Sequence, residues 1–340
     1  MLKNVLIIKD YKGFVRQGEH YVSSLNINTI KSTLESKGFK VETIYYDEVI
    51  DKIDQLNNYV ILYSSTENLE YKAYLDDLLY SLSKTNMLIP SYEIFKAHEN
   101  KGYQEILKKE KNINSLGFNY FSVLEDIQKN ISKITYPVIL KTVSGSSSRG
   151  VYKVNNNKEL LNIVKKNSEE TLKEKLKYRV KKTVLSKFTS KYNTDYFNES
   201  KFIKRFVLQE YAEGNNEDWK VLIFHSKYYV LNRKAKEGDF KASGSGIRNF
   251  ENPPEGLLNY ARSIFEKLDV PFISMDVVST KNGFELIEFQ GTHFGLYTIL
   301  QSPNYFYMDN EKWVSVEEKS DASKEYAISI INYYKQKVIQ

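Results

Sequence analysis

The chain has 340 residues, 49 Lys+Arg against 43 Asp+Glu for a net charge of +6, four His and no Cys. At roughly 150 residues per domain this length suggests about two domains, and 41% hydrophobic residues supply sizeable cores and exclude a disordered chain. Without Cys there is no disulfide, no thiolate nucleophile and no Cys-ligated zinc or iron–sulfur centre.

An apolar run at 5–9 reads as a buried strand. Ile27, Ile30 and Leu34 recur at helical spacing through 27–37, and Gly38 stands where a C-terminal cap would, ahead of a strand at 40–46. A strand at 58–63, a helix at 69–83 and a short strand at 87–90 follow. This β-α-β-α-β order implies a small parallel sheet covered by helices. The loop 10–24, with Lys12, Arg16 and His20, leaves the carboxyl end of the first strand, where such sheets bind ligands. Its Gly13 and Gly18 make no dinucleotide fingerprint. From Phe95 one helix-like stretch leads to a strand at 136–143, a Gly/Ser loop and a strand at 151–154. Strands at 206–211, 219–224 and 228–233, a helix at 257–268, strands at 273–278 and 284–289, and a helix at 320–338 complete an α/β chain.

The positive charge is local. Residues 165–205 hold 13 Lys+Arg and 5 Asp+Glu, so the rest of the chain is slightly acidic. The plain reading of this segment is a solvated helical surface; the functional one is a docking surface for an anionic substrate. No RNP motif, zinc-finger spacing or basic heptad accompanies it, so nucleic acid is not an expected partner. No apolar run approaches the ~20 residues of a membrane span, and residues 1–20 contain no signal-peptide core. A cytoplasmic protein without a membrane span is the expectation.

Three segments carry chemistry. In ISMDVVSTKNGFELIEFQ, a three-residue loop of Lys281, Asn282 and Gly283 would pair 280 with 284 and set Asp276 opposite Glu288. Gln290 then lies on the same face. Facing carboxylates repel, and a divalent cation removes the conflict; all-oxygen donors suit magnesium. The alternative is an exposed hairpin edge. In YPVILKTVSGSSSRGVYKV, Lys141 ends an apolar strand. Ser144, Gly145, Ser146, Ser147, Ser148, Arg149 and Gly150 form a turn whose backbone N–H groups could close over phosphates. It is not a Walker A loop, since Val151 and Tyr152 replace the required Lys and Ser/Thr, and a plain hairpin loop is the competing reading. In FVLQEYAEGNNEDWKVLIF a strand delivers Gln209, Glu210 and Tyr211 and breaks at Gly214. Its free backbone groups could meet an adenine edge, and Asp218 would suit ribose hydroxyls.

Together and in this order the segments resemble the ATP-grasp superfamily over roughly residues 91–300. The resemblance implies a small N-terminal α/β domain at 1–90 and two α+β subdomains clasping ATP: 91–205, with the basic insert at 165–205, and 206–340. It implies ATP and Mg2+ as cofactors, with Mn2+ as a substitute. Lys141 and the looser Lys101 would reach the phosphates, and residues 144–150 would cover them. Gln209, Glu210 and Tyr211 would meet adenine, and Asp218 the ribose. Asp276, Glu288 and Gln290 would ligate the metal, and Arg233 would face the triphosphate. Gln290 departs from the usual Asn. Ser274 stands where many relatives carry an arginine for the acyl phosphate, which leaves Arg248 or Arg149 to hold it. The implied activity is a ligase joining a small-molecule carboxylate to an amine through an acyl phosphate. A kinase of the same fold and a non-catalytic nucleotide-binding module are the alternatives. Amino acids, small peptides and uronic-acid sugars all suit a basic cleft. His293 would assist the amine or be structural; His20, His98 and His225 read as structural. A homodimer is the default expectation for assembly.

Overall fold

Four consecutive apolar residues, Val5 to Ile8, form the fully buried centre of β1 (Asn4–Lys9). A strand buried on both faces requires layers above and below it. The computed structural model describes residues 4–18, 24–145, 150–168, 180, 183–189, 200, 202–212 and 216–339. The chain divides into two units, one of Met1–Ser115, Gly145–Ser148 and Ala212–Gln340, the other of Leu116–Ser144 and Arg149–Tyr211.

In the first unit, β2 (Val15–Arg16) and β3 (Ser24–Leu25) pair as a short ribbon within the loop after β1. There follow α1 (Ile27–Glu35), β4 (Lys40–Tyr45), α2 (Val49–Lys52), β5 (Val60–Tyr63), α3 (Leu69–Leu82), β6 (Met87–Ile89), α4 (Tyr92–Ala97) and α5 (Lys101–Glu110). The four longer strands make a parallel sheet in the order β4-β1-β5-β6, the arrangement expected from the β-α-β-α-β pattern. The single helix read from Phe95 onward is two. His98 is extended, Glu99 takes a positive φ of 53°, and the Asn100 side chain caps α5 by accepting from the Tyr103 N–H. An Asn competing for backbone donors begins a helix more readily than it continues one.

The second unit is a four-stranded antiparallel sheet. Its strands are β7 (Phe118–Val123), β8 (Val138–Thr142), β9 (Val151–Val154) and β10 (Ile203–Glu210), in the order β7-β10-β8-β9. Leu124 and Ile127 of α6 (Leu124–Asn130) and Leu160 and Val164 of α7 (Asn157–Ser168) pack on Leu140, Val154, Phe206 and Leu208.

The first unit resumes with β11 (Glu217–Phe224), β12 (Lys227–Lys234), β13 (Ile247–Asn249), α8 (Leu257–Leu268), β14 (Phe272–Thr280), β15 (Gly283–Gln290), α9 (Tyr297–Gln301), β16 (Tyr305–Asp309), β17 (Lys312–Val316) and α10 (Ala322–Ile339). These strands form an antiparallel sheet ordered β15-β14-β11-β12-β16-β17, with β13 also on β12. Side chains alternate faces along a strand, and here the alternation is plain. Val221, Ile223, Ile273, Met275 and Val277 pack with Leu257, Ala261, Ile264 and Leu268 of α8. Leu222, Phe224, Tyr229 and Phe272 turn the other way, into a core shared with β1, α1 and α10. Farther along that second face the apolar pattern stops, and Asp218, Lys220, Arg233 and Asp276 appear.

Candidate functional site

Strand register lays the floor of the site. Lys220 lies opposite Asp276 and Leu222 opposite Ser274, while Asp218 lies opposite Arg233. Between β14 and β15, Thr280 pairs with Gly283 and Val277 with Leu286; then the register shifts, and Asp276 pairs with Glu288 and Ser274 with Gln290. The loop is therefore the two residues Lys281 and Asn282, not three, and Gly283 at φ 109° opens β15. Continued unbroken, that register would put Asp276 against Ile287 and turn Glu288 to the opposite face. One extra residue, Ile287, forms a bulge that restores the alignment. Glu288 thus faces Asp276, as read from the sequence, but by a shorter loop corrected by a bulge.

Helix α5 holds that bulge. The Lys108 ammonium lies 3.5 Å from the Leu286 carbonyl oxygen, 3.4 Å from that of Ile287 and 2.7 Å from Glu105 Oε2. The Phe289 N–H donates to Gln104 Oε1 at 3.3 Å. Lys108 and Glu105 are almost wholly buried, and burial lowers the lysine pKa against the pull of Glu105.

The floor is a charge lattice. Arg233 Nε lies 2.5 Å from Asp218 Oδ1 and its Nη2 2.9 Å from Asp276 Oδ2. Lys220 Nζ lies 3.8 Å from Asp276 Oδ1 and 3.5 Å from Gln290 Oε1, and Gln290 Nε2 donates to Glu288 Oε1 at 3.1 Å. Burial disfavours the Arg233 charge, but Asp276 and Asp218 outweigh it and hold the guanidinium more firmly protonated than usual. Burial pushes the Asp218 carboxyl up to about 6, although Arg233 pulls it down. Burial lowers the Lys220 pKa, with Asp276 opposing. Asp218, the sequence candidate for ribose, is committed to Arg233 and does not line the cavity.

Above this floor lies a cavity of about 370 Å3, lined by Lys101, Lys220, Arg233, Arg248, Asp276, Glu288 and Gln290, and also by Gln17, Glu67, His98 and His293. Lys101 Nζ donates to the Gly145 carbonyl at 2.6 Å and the Gly145 N–H to Glu99 Oε2 at 2.9 Å, which fixes the first glycine of the Gly/Ser loop to the cavity wall. The Arg248 guanidinium lies 4.3 Å over the Tyr297 ring. Lys220 is not among the sequence candidates. Its signal is local: a cation two residues beyond Asp218, ahead of the apolar run 221–224, must share the Asp218 face.

The second unit holds its own candidates. Lys141 is buried and its Nζ donates to Gln209 Oε1 at 2.6 Å. Glu210 turns back to accept the Gly117 N–H at 3.1 Å, and a Cβ at Gly117 would come within 2.6 Å of that carboxyl. Lys153 Nζ sits 3.8 Å from the centre of the Tyr211 ring. The Ser144 carbonyl accepts from Thr142 Oγ1 at 3.0 Å. Gly150 has φ 73° and presses so closely on Thr142 that a Cβ would meet its Oγ1 at 2.1 Å. Ser146, Ser147, Ser148, Arg149, Gly214, His20 and most of the basic segment lie outside the described residues.

The donors at the floor suit a hard cation. Among the described residues no group of three or more His, Asp or Glu side chains could hold a metal. The candidate set is instead two facing carboxylates and a carboxamide. Magnesium is commonly held in this way, by one or two carboxylates, with water and phosphate oxygens completing its shell.

No family model and no curated protein matches this sequence. Solved structures do. The D-cycloserine synthetase DcsG superposes at TM-score 0.57 with 12% identity, over 97% of this chain and 99% of that one. The VanG D-Ala:D-Ser ligase of Enterococcus faecalis gives 0.55 with 12% identity over 98% and 100%, and D-alanine–D-alanine ligase of Bacillus anthracis gives 0.51 with 15% identity over 99% of each. Among the described residues no helix is long and apolar enough to cross a membrane. A mixed α/β architecture shared with these proteins over nearly the whole chain gives the chain the ATP-grasp fold.

Proposed function

We propose that this protein is an ATP- and magnesium-dependent ligase that joins a carboxylate to an amine through an acyl phosphate, releasing ADP and phosphate. The observation that carries the reading is the bulged hairpin, which sets Asp276 against Glu288 beside Gln290 in a cavity also lined by Lys101, Lys220, Arg233 and Arg248. Phosphoryl transfer needs positioning and charge stabilisation more than a protein nucleophile, and this constellation supplies both without Cys.

Asp276, Glu288 and Gln290 would hold magnesium, which when bound with ATP neutralises charge on the transferred phosphoryl group. Lys101, Lys220 and Arg233 add fixed positive charge around the same space. Arg248, with Arg149 as the second candidate, would grip the substrate carboxylate, Arg being a bidentate partner for such groups. Lys141, Gln209, Glu210 and Tyr211 of the second unit, together with the loop from Ser144 to Gly150, are the proposed nucleotide residues. The ligase names of the solved structures with this fold support the same class of reaction.

The test is a screen of ADP release, with carboxylates crossed against amines at fixed Mg·ATP. A ligase releases ADP steadily only when both are present. Steady release with a hydroxyl compound alone, or none with any pair, refutes the proposal.

A further inference from the structure

The cavity holds a second polar group that the phosphoryl chemistry does not use: Glu67, ahead of α3; His98, in the break between α4 and α5; and His293, in the loop after β15. The His293 side chain is 5% exposed, and neither ring nitrogen has a hydrogen-bond partner among the described residues. A buried polar group left in that state is unfavourable, and such groups in native structures point to an absent partner. The His98 ring stands edge-on to it, centroids 4.5 Å apart. His98 Nε2 lies 3.1 Å from the Thr66 carbonyl oxygen. A carbonyl can only accept, so Nε2 carries the hydrogen. Burial first, then His293, lowers the His98 pKa and keeps it neutral, with Lys72 and Lys101 acting in the same direction. Glu67 Oε1 lies 3.9 Å from His293 Nδ1, too far for a hydrogen bond. The carboxylate therefore stands on the Nδ1 side of the ring, which leaves Nε2 as the nitrogen turned away from it.

We propose, building on the ligase reading, that Glu67, His98 and His293 form the acceptor subsite, which takes a primary ammonium group and uses His293 as its base. One proton passes from the ammonium nitrogen to His293 Nε2. The free amine then attacks the acyl carbon; the C–N bond forms and the bond from that carbon to the phosphate oxygen breaks. Phosphate leaves with the bonding pair and takes the second amine proton, giving amide and hydrogen phosphate. His98 is a positioning residue, whose ring fixes the plane of His293.

Hydroxylamine separates this role from the rest of the reaction, because it is largely unprotonated at neutral pH and attacks acyl phosphates without a base. With the acid that releases ADP in the screen, hydroxamate formation is compared with coupling to the amine that the screen identifies. His293→Gln should raise the ratio of hydroxylamine to amine turnover on the order of 100-fold, the usual contribution of a general base. Glu67→Gln should move the ratio the same way and decides the matter should His293→Gln not fold. An unchanged ratio in the folded variants overturns the acceptor subsite alone. Failure of the parent protein to form hydroxamate from any acid overturns the ligase reading, and the subsite with it.

Discussion

Replacing Lys108 by Met tests how the metal-binding candidates are held in place. Lys108 and Glu105 are 1% and 3% exposed and 2.7 Å apart, so removing the lysine strips a buried carboxylate of its ion-pair partner. That costs about 3–5 kcal/mol, a large part of the roughly 5–15 kcal/mol that keeps a domain folded. The double variant Lys108→Met/Glu105→Leu should recover most of this, because an apolar pair of similar volume replaces a buried ion pair at little cost. Function should not recover. The carbonyls of Leu286 and Ile287 still lose the Lys108 ammonium, which loosens the bulge that turns Glu288 toward Asp276. Urea unfolding reads stability, and calorimetric titration with Mg·ATP reads the site. A single variant within about 0.5 kcal/mol of the parent, an ordinary surface effect, refutes the argument. So does a double variant that regains Mg·ATP affinity along with stability.

Lys220→Met should destabilise the metal-free protein by about 1–3 kcal/mol, since Lys220 neighbours Asp276 and Gln290; thermal melts should show the deficit shrinking in saturating Mg·ATP. His98 has its pKa lowered by burial from the ordinary 6.5. The unfolded chain therefore binds the extra proton first, and stability falls as pH drops below about 6.5. His98→Gln should flatten that part of a denaturation-versus-pH curve. A Cβ at Gly291 would sit 2.2 Å from Ile94 Cγ2, so Gly291→Ala should cost about 1–3 kcal/mol by overpacking. Ile94→Leu, which lacks that methyl, should return most of the loss in the double variant, and simple additivity of the two would contradict the predicted clash.

What the sequence made legible was periodic or local. The parallel sheet around β1 and helix α8 followed from apolar spacing, and α8 spans the residues 257–268 read beforehand. What escaped depended on distant partners. The bulge at Ile287 is held by a lysine 179 positions earlier, and no local pattern announces it. The pairing of Asp276 with Glu288 was reached through a loop one residue too long. Strand β7 was passed over because FNYFSV is only partly buried, leaving a weak alternation to read. The hairpin of β16 and β17 was missed for the same reason, its residues being mostly exposed or half-buried. His98 read as an isolated histidine because its partner, His293, lies on a segment nearly two hundred residues away.

The lattice beneath the cavity has an electrical consequence. Two cationic side chains, Lys220 and Arg233, already attend three anionic ones, Asp218, Asp276 and Glu288. A site so nearly neutralised from within has little appetite for a bare dication, which would have to compete with a guanidinium for the same carboxylate oxygen. Ion and nucleotide should therefore arrive as one body, the triphosphate drawing Lys220 and Arg233 upward and freeing Asp276 for the metal. Titrating magnesium alone should give weak binding, and titrating it with a non-hydrolysable ATP analogue should give tight binding.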